Sequence, residues 1–337
     1  MNVAWFWALS AMLTAYAVLD GYDLGVGMLS LWVARGEDQR RMAVNSIGPV
    51  WNGNEVWLLA AGGMLVVSFP RVYASGFSGF YLALMVLLWL LILRGISIEF
   101  RNQVADPLWK SLWDAGFSVS SLLVALLLGV ALGNVIQGLP IGPNGYFQGS
   151  FALLLNPYSL LTGLLSVAVL AWHGANYLRE KTEGSLLAKA VKWSRGLWWW
   201  TAAMVVVVTM ATFIFRPNAG RNFSAHALAW AFPLLTLGGL LLGLAYRSEQ
   251  RNDQAFYSSM LLIIGLMGSA MLTVFPNLLT STVDSQYSLN IYNAASSPLA
   301  LRASFIANIV GMAGVIVYST YVHRTFRGKV RMDGGHY

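Results

Sequence analysis

The chain has 337 residues, of which 57% are hydrophobic and only 10% charged. A soluble domain carries about 25% charged residues, so most of this surface must face lipid. The absence of cysteine excludes disulfides, thiolate zinc sites, iron–sulfur clusters and cysteine nucleophiles together, while the net charge of +7 falls in alternate loops and so marks topology, not nucleic-acid binding.

A bilayer core of roughly 30 Å takes about 20 apolar residues per helix. That predicts an all-α polytopic membrane protein, one integral domain over 1–337, with nine spans. They lie near 4–33, 47–69, 76–94, 115–138, 151–177, 196–215, 228–246, 255–275 and 303–322. Met1 to Trp7 contains no basic residue, so the first span lacks the positive start of a cleaved signal and is expected to be a retained helix. Trp5, Trp7 and Trp198 to Trp200 suit headgroup anchors.

Ionisable groups inside a membrane cost about 2.5–3.5 kcal/mol each at a helix centre, which makes them functional candidates. The first span holds Asp20 and Asp23, three residues apart and on one helix face. Gly21, Gly25 and Gly27 beside them permit close helix approach. The second span is interrupted by Asn52, Asn54 and Glu55, with Pro49 fitting a first helical turn. The third closes on Arg94-Gly95-Ile96-Ser97-Ile98-Glu99-Phe100-Arg101. Two readings of these groups stand open: polar locks between helices, or a path that handles protons. Their concentration toward one end favours a polar inlet.

His173 is the one histidine in a predicted span; His226 lies near an outer loop, and His323 and His336 near the inner tail. One intramembrane histidine among 13 methionines does not assemble a heme axial pair, so His173 is expected to be a packing residue. Pairs at metal-site spacing are missing, and Gly25-Val26-Gly27 lacks the strand–turn–helix setting of a nucleotide site. Asn134 to Pro140 and Leu155 to Tyr158 read as helix-end turns, and Ser288 to Pro298 as an ordered cap.

Seventeen of the 21 basic residues fall in one set of loops, from Arg35 through Arg331, against Arg71, Arg216, Arg221 and Arg302 in the other. The richer side is expected to be cytoplasmic, with the N-terminus outside and the C-terminus inside. The residues alone also admit a proton-coupled secondary transporter using the same carboxylates, although the paired helix breaks of inverted repeats are not evident.

Asp20-Gly21-Tyr22-Asp23-Leu24-Gly25-Val26-Gly27-Met28-Leu29, Asn45 to Leu58 and Arg94 to Arg101 together resemble subunit II of the cytochrome bd-type quinol oxidases. The likeness continues through Gly133 to Pro140, Leu155 to Pro157 and Ser288 to Ser297. It implies a terminal oxidase that oxidises quinol and reduces oxygen to water in a bacterial or archaeal-type cytoplasmic membrane. It further implies two four-helix bundles plus one peripheral helix, with no cofactor bound by this chain alone. Hemes b and d belong to subunit I, the expected partner; a small single-helix subunit often completes the complex, and a structural quinone or lipid is compatible with it. On this resemblance Asp20, Asp23, Glu55 and Glu99 contribute a proton pathway, and Trp51, Arg94 and Arg101 face heme propionates or the subunit interface. Asn52 departs from the family, which commonly has Asp after that tryptophan; an amide orients water but releases no proton.

Overall fold

The computed structural model describes residues 1–248 and 251–330; Arg331 and His336 lie outside them. The helices are α1 (Asn2–Val33), α2 (Glu37–Ile47), α3 (Trp51–Ser68), α4 (Pro70–Gly79), α5 (Tyr81–Phe100), α6 (Pro107–Gln137), α7 (Pro157–Lys181), α8 (Gly184–Phe215), α9 (Arg221–Ala225), α10 (Ala231–Ala245), α11 (Asn252–Val274) and α12 (Pro298–Thr325). Among the described residues, eight helical segments are long and apolar enough to cross a membrane: α1, α5, α6, α7, α8, α10 with its leading turn, α11 and α12. They coincide with eight of the nine expected spans. The ninth, at 47–69, is α3, an 18-residue helix whose first turns carry Asn52, Asn54 and Glu55 and dilute its hydropathy.

Three starts are written plainly in the sequence as a capping residue followed by proline. Asp106 Oδ1 accepts from the backbone of Leu108 at 2.7 Å and Trp109 at 3.0 Å, ahead of Pro107. Asn156 accepts from Ser159 N at 2.8 Å ahead of Pro157, and Ser297 from Ala300 N at 3.3 Å ahead of Pro298. The side chain satisfies an orphan N–H, and proline occupies a position that needs none. These caps explain why α6 and α12 begin before their apolar segments. Likewise 178–195, the connection between the expected spans at 151–177 and 196–215, is mostly helix, because α8 extends from Gly184 through Lys189, Lys192 and Arg195. A helix does not stop where the bilayer does.

α1 lies at the centre, packed against α3, α6, α7 and α11. Its closest crossing is with α7, where Gly25 meets Gly174: a Cβ on Gly25 would stand 2.7 Å from the Gly174 backbone. Lipid tails offer no hydrophobic drive toward helix association, so such close approach and its dispersion contacts must hold the pair. α12 sits at the rim with Leu301 its one buried side chain. It runs parallel to α1, since Trp5 Nε1 donates to Leu301 O at 3.0 Å near one end and Tyr22 Oη bonds His323 Nε2 at 3.0 Å near the other.

The end of the molecule bearing Trp5 and Leu301 is closed by an ordered cap. Strands β1 (Asn277–Leu279) and β2 (Leu289–Asn290) pair antiparallel. Leu139 N donates to Thr280 O and Thr282 N to Leu139 O, both at 2.9 Å, which ties the end of α6 to the cap. Arg216 donates to Ile136 O and to Thr280 Oγ1, crossing the same seam. Asn134, expected at a helix-end turn, is buried and donates to Val130 O at 2.9 Å and Leu154 O at 2.8 Å. The cap and these turns therefore satisfy backbone groups, as the sequence leads one to expect.

Candidate functional site

Asp20 and Asp23 project from one face of α1 toward Arg94 of α5, and all three side chains are completely buried. Arg94 grips Asp20 with both ends of its fork: Nη1 donates to Oδ2 at 2.9 Å and Nη2 to Oδ1 at 2.5 Å. Asp23 Oδ2 stands 3.8 Å from Nη2, a weaker charge contact. Bidentate pairing is the geometry that a planar guanidinium favours, and burial leaves no water to screen it. One cation thus faces two acids.

Asn54 of α3 supplies the second support for Asp23. Its Nδ2 donates to Asp23 Oδ2 at 2.8 Å, to Tyr22 Oη at 2.7 Å and, more weakly, to Leu19 O at 3.3 Å. Tyr22 Oη also bonds His323 Nε2, so a hydrogen-bonded chain runs from α12 to the carboxylate. Asp23 Oδ1, in contrast, is buried without a partner among the described residues. Such an orphan acceptor is uncommon in a folded interior.

Trp51 begins α3 and lays its ring over Gly95; a Cβ there would stand 3.3 Å from the indole. It thereby packs beside the turn that carries Arg94. Glu55 is half-buried one helical turn beyond Trp51 and lies within electrostatic range of Arg94 and Asp20. Asn52 and Glu99 are exposed, and neither reaches the buried cluster.

Arg101 belongs to a second cluster beyond the end of α5. Its Nε donates to Asp114 Oδ1 at 2.6 Å, and Nη2 to Glu37 Oε2 at 3.0 Å. Arg40 reaches Asp114 at 3.2 Å, and Lys110 reaches Glu37 at 2.8 Å. Partial burial pushes the Glu37 carboxyl up, but hydrogen bonds from Arg101 and Lys110 outweigh it and hold the group below its ordinary value. This set clamps α2 and the α5–α6 connection.

The sequence singles out Asp20, Asp23 and Arg94, and the fold brings them into contact. It does not single out Tyr22, His323, Asp114 or Glu37 as members of either cluster. Asn54 carries a readable signal, an amide set among apolar residues one position before Glu55. His323 carries none, because its bond to Tyr22 spans 301 positions.

His173 is fully buried, with Nδ1 bonded to Ser259 Oγ at 2.7 Å and Nε2 to Val18 O at 2.9 Å. A carbonyl only accepts, so Nε2 carries the hydrogen, and neither nitrogen is free for iron. The residue does not fit an axial heme ligand. His323 is similarly occupied, by Ser319 O at Nδ1 and Tyr22 at Nε2. Among the described residues, no group of three or more histidines and carboxylates is arranged to hold a metal ion.

Fold and site together define a polytopic helical membrane protein with a buried acid–arginine cluster near its basic end. The profile of the family described as cytochrome bd terminal oxidase subunit II matches residues 1–326. The chain is 33% identical over 360 residues to the probable cytochrome oxidase subunit 2 of Haemophilus influenzae, covering 98% of this chain and 95% of that one. It is 31% identical over 366 residues to the cytochrome bd-I ubiquinol oxidase subunit 2 of Escherichia coli K12, covering 99% and 96%. The bd oxidase structure from Geobacillus thermodenitrificans superposes with a TM-score of 0.76 at 18% identity, over 96% of this chain and 98% of that one, and so shares the fold. The chain belongs to the cytochrome bd terminal oxidase subunit II family. Membership and the eight apolar helices make it a multi-pass protein of the bacterial inner membrane, and imply a complex with subunit I, which carries the hemes.

Proposed function

We propose that this chain is the heme-free subunit of a quinol:oxygen oxidoreductase and lends its partner a protonated path from the cytoplasm. The partner's hemes supply the electron transfer to oxygen. What this chain supplies is a place for protons inside an apolar medium, where each electron delivered to oxygen must be matched by one. The observation that carries this reading is the fully buried pairing of two carboxylates with one arginine, with Asp23 Oδ1 left unpartnered.

Asp20 is committed to Arg94 by two bonds, which balances one negative charge. A second negative charge in the same dry pocket has no cation of its own, so Asp23 is the group that binds and releases a proton. Asn54 fixes its rotamer through Oδ2 and leaves Oδ1 open. Glu55, half-buried on α3, is placed to pass protons along the same face, while exposed Glu99 collects them at the rim. The bias of basic residues between loops supports an N-terminus outside, and with it a cluster in the cytoplasmic half.

Asp23→Asn keeps the shape and removes the proton site. In the purified two-subunit complex it is expected to slow quinol-driven oxygen consumption by roughly 10²-fold, while the heme absorbance stays. Undiminished turnover would overturn the path, and loss of the hemes would assign Asp23 to assembly instead. Redox difference spectra of separated subunits test the other half, with all heme expected on the partner.

A further inference from the structure

We infer that the outer side of the seam between α8 and α10, at the basic end of the molecule, binds the headgroup of an acidic phospholipid. The site is separate from the proposed proton path and uses residues which that path leaves idle. In the orientation that the loop bias supports, it faces the inner leaflet.

Three successive tryptophans on α8 point to different surroundings. Trp198 turns inward, only 7% exposed, and its Nε1 donates to Leu240 O of α10 at 3.0 Å. The helices meet closely there, since a Cβ on Gly243 would stand 3.2 Å from the Trp198 ring and 2.6 Å from that of Trp172. Trp199 and Trp200, in contrast, are 58% and 69% exposed. The seam is thus closed inside, and a ligand has only its outer side. Exposed indoles at that depth suit the boundary between acyl chains and headgroups.

Two arginines cross the seam at its basic end. Arg195 Nε donates to Arg247 O at 3.0 Å, and Arg247 Nη2 returns a longer bond to Arg195 O at 3.4 Å. The Arg247 guanidinium also lies over the Trp199 ring, 5.7 Å from its centroid. These contacts fix both side chains and neutralise neither. Among the described residues, no carboxylate pairs with Arg195 or Arg247. Lys192, exposed three residues before Arg195 and so on the same face of α8, adds a third positive charge. Like charges held side by side repel, and an anion between them removes that cost. The planar fork of a guanidinium matches a phosphate, and each arginine keeps N–H groups for one.

The surroundings narrow the class of ligand. Followed away from the arginines, both helices turn apolar on their exposed faces, with Trp199 and Trp200 on α8 and Leu241 and Leu244 on α10. A soluble anion would use only the charged half of this surface. A zwitterionic lipid would bring an ammonium that Lys192 and the two arginines repel. A phospholipid with net negative charge satisfies both halves, with its phosphate on the arginines and its chains along the apolar strip.

The test uses the purified two-subunit complex, washed free of loosely held lipid and titrated with dioleoyl phosphatidylglycerol while native mass spectrometry counts what stays bound. Arg195→Gln/Arg247→Gln should bind its tightest lipid about tenfold or more weakly than the parent, with the heme spectrum unchanged. Arg324→Gln/Arg327→Gln removes the same charge from the exposed end of α12 and should leave that affinity as it was. Parent-like affinity in the first pair would overturn the site. So would an equal loss in the second, which would mean general surface attraction, or equal affinity for dioleoyl phosphatidylcholine. Displacement by millimolar inorganic phosphate would leave a bare anion pocket and overturn the lipid as well. An independent readout changes no charge: phosphatidylglycerol with brominated chains should quench the tryptophan fluorescence of the parent, and less of it in Trp199→Leu. Quenching unaffected by Trp199→Leu would put the lipid elsewhere and overturn the assignment.

Discussion

The two acid–arginine clusters are built from the same parts and differ in their surplus. Around Arg101 stand Asp114 and Glu37, joined by Arg40 and Lys110, so cations outnumber acids. Around Arg94 stand Asp20 and Asp23, with Glu55 in range, so acids outnumber the cation. The Arg101 cluster opens to water through Glu37, which is 46% exposed, whereas Arg94, Asp20 and Asp23 are wholly enclosed. A fastener tolerates excess positive charge at a surface where solvent and counterions absorb it. An excess of negative charge in a dry interior has no such outlet except a proton. On the function proposed above, that difference is what separates a structural clamp from a proton site, although a sequence pattern of Arg and Asp looks alike in both.

The largest effect is expected where the comparison is sharpest. Arg94→Gln leaves Asp20 and Asp23 buried without a cation, and breaking a buried pair costs about 3–5 kcal/mol. Membranes expressing it should contain little assembled oxidase, measured by the reduced-minus-oxidised heme signal. Arg94→Lys keeps the charge but loses the two-pronged grip on Asp20, so it should assemble in part. If Arg94→Gln assembled as well as the parent, the enclosure of the inner cluster would be energetically idle and the contrast would collapse.

Arg101→Gln should cost less, about 1–3 kcal/mol, although Arg101 is as buried as Arg94. The reason is redundancy: Arg40 still reaches Asp114 at 3.2 Å, and Lys110 still holds Glu37. Thermal loss of the heme spectrum in the purified complex gives the ranking. A reversed order would mean that the surface clamp, and not the inner cluster, governs stability.

How much of this was legible in the sequence depends on the range of the interaction. The spans follow from apolar runs, and their true starts follow from Asp106-Pro107, Asn156-Pro157 and Ser297-Pro298, which act within three residues. Asp20 and Asp23 stand out because charge is rare in an apolar helix, and their shared face follows from a spacing of three. Their partner on α5 can be guessed because Arg94 falls at a membrane-span end, but the two-pronged geometry is set by how α1 and α5 pack. Glu55 and Glu99 look equivalent as letters; the fold half-buries one and exposes the other. His323 could be placed only near the inner tail, since nothing local to α12 points to Tyr22. The helical state of 178–195, the connection between two expected spans, was not legible for a different reason: hydropathy measures where lipid ends, and backbone hydrogen bonding carries α8 past that boundary.

The smallest effect belongs to Glu37, and its sign is fixed by the clamp around it. Glu37→Gln removes two ion pairs from a half-exposed site, so the loss should be about 1 kcal/mol or less and should shrink further in high salt. Because Arg101 and Lys110 hold the folded carboxyl below its ordinary value of 4.5, the folded state binds this proton more weakly than the unfolded chain does. The contribution is therefore complete at neutral pH and fades only as pH falls below about 4.5 and through the lower folded value. Wild-type and Glu37→Gln complexes should differ by a constant small margin from neutral pH down to about 5 and converge in stronger acid. A margin that instead grew on acidification would mean that Glu37 is held protonated, and that the cluster around Arg101 shares the acid surplus of the inner one.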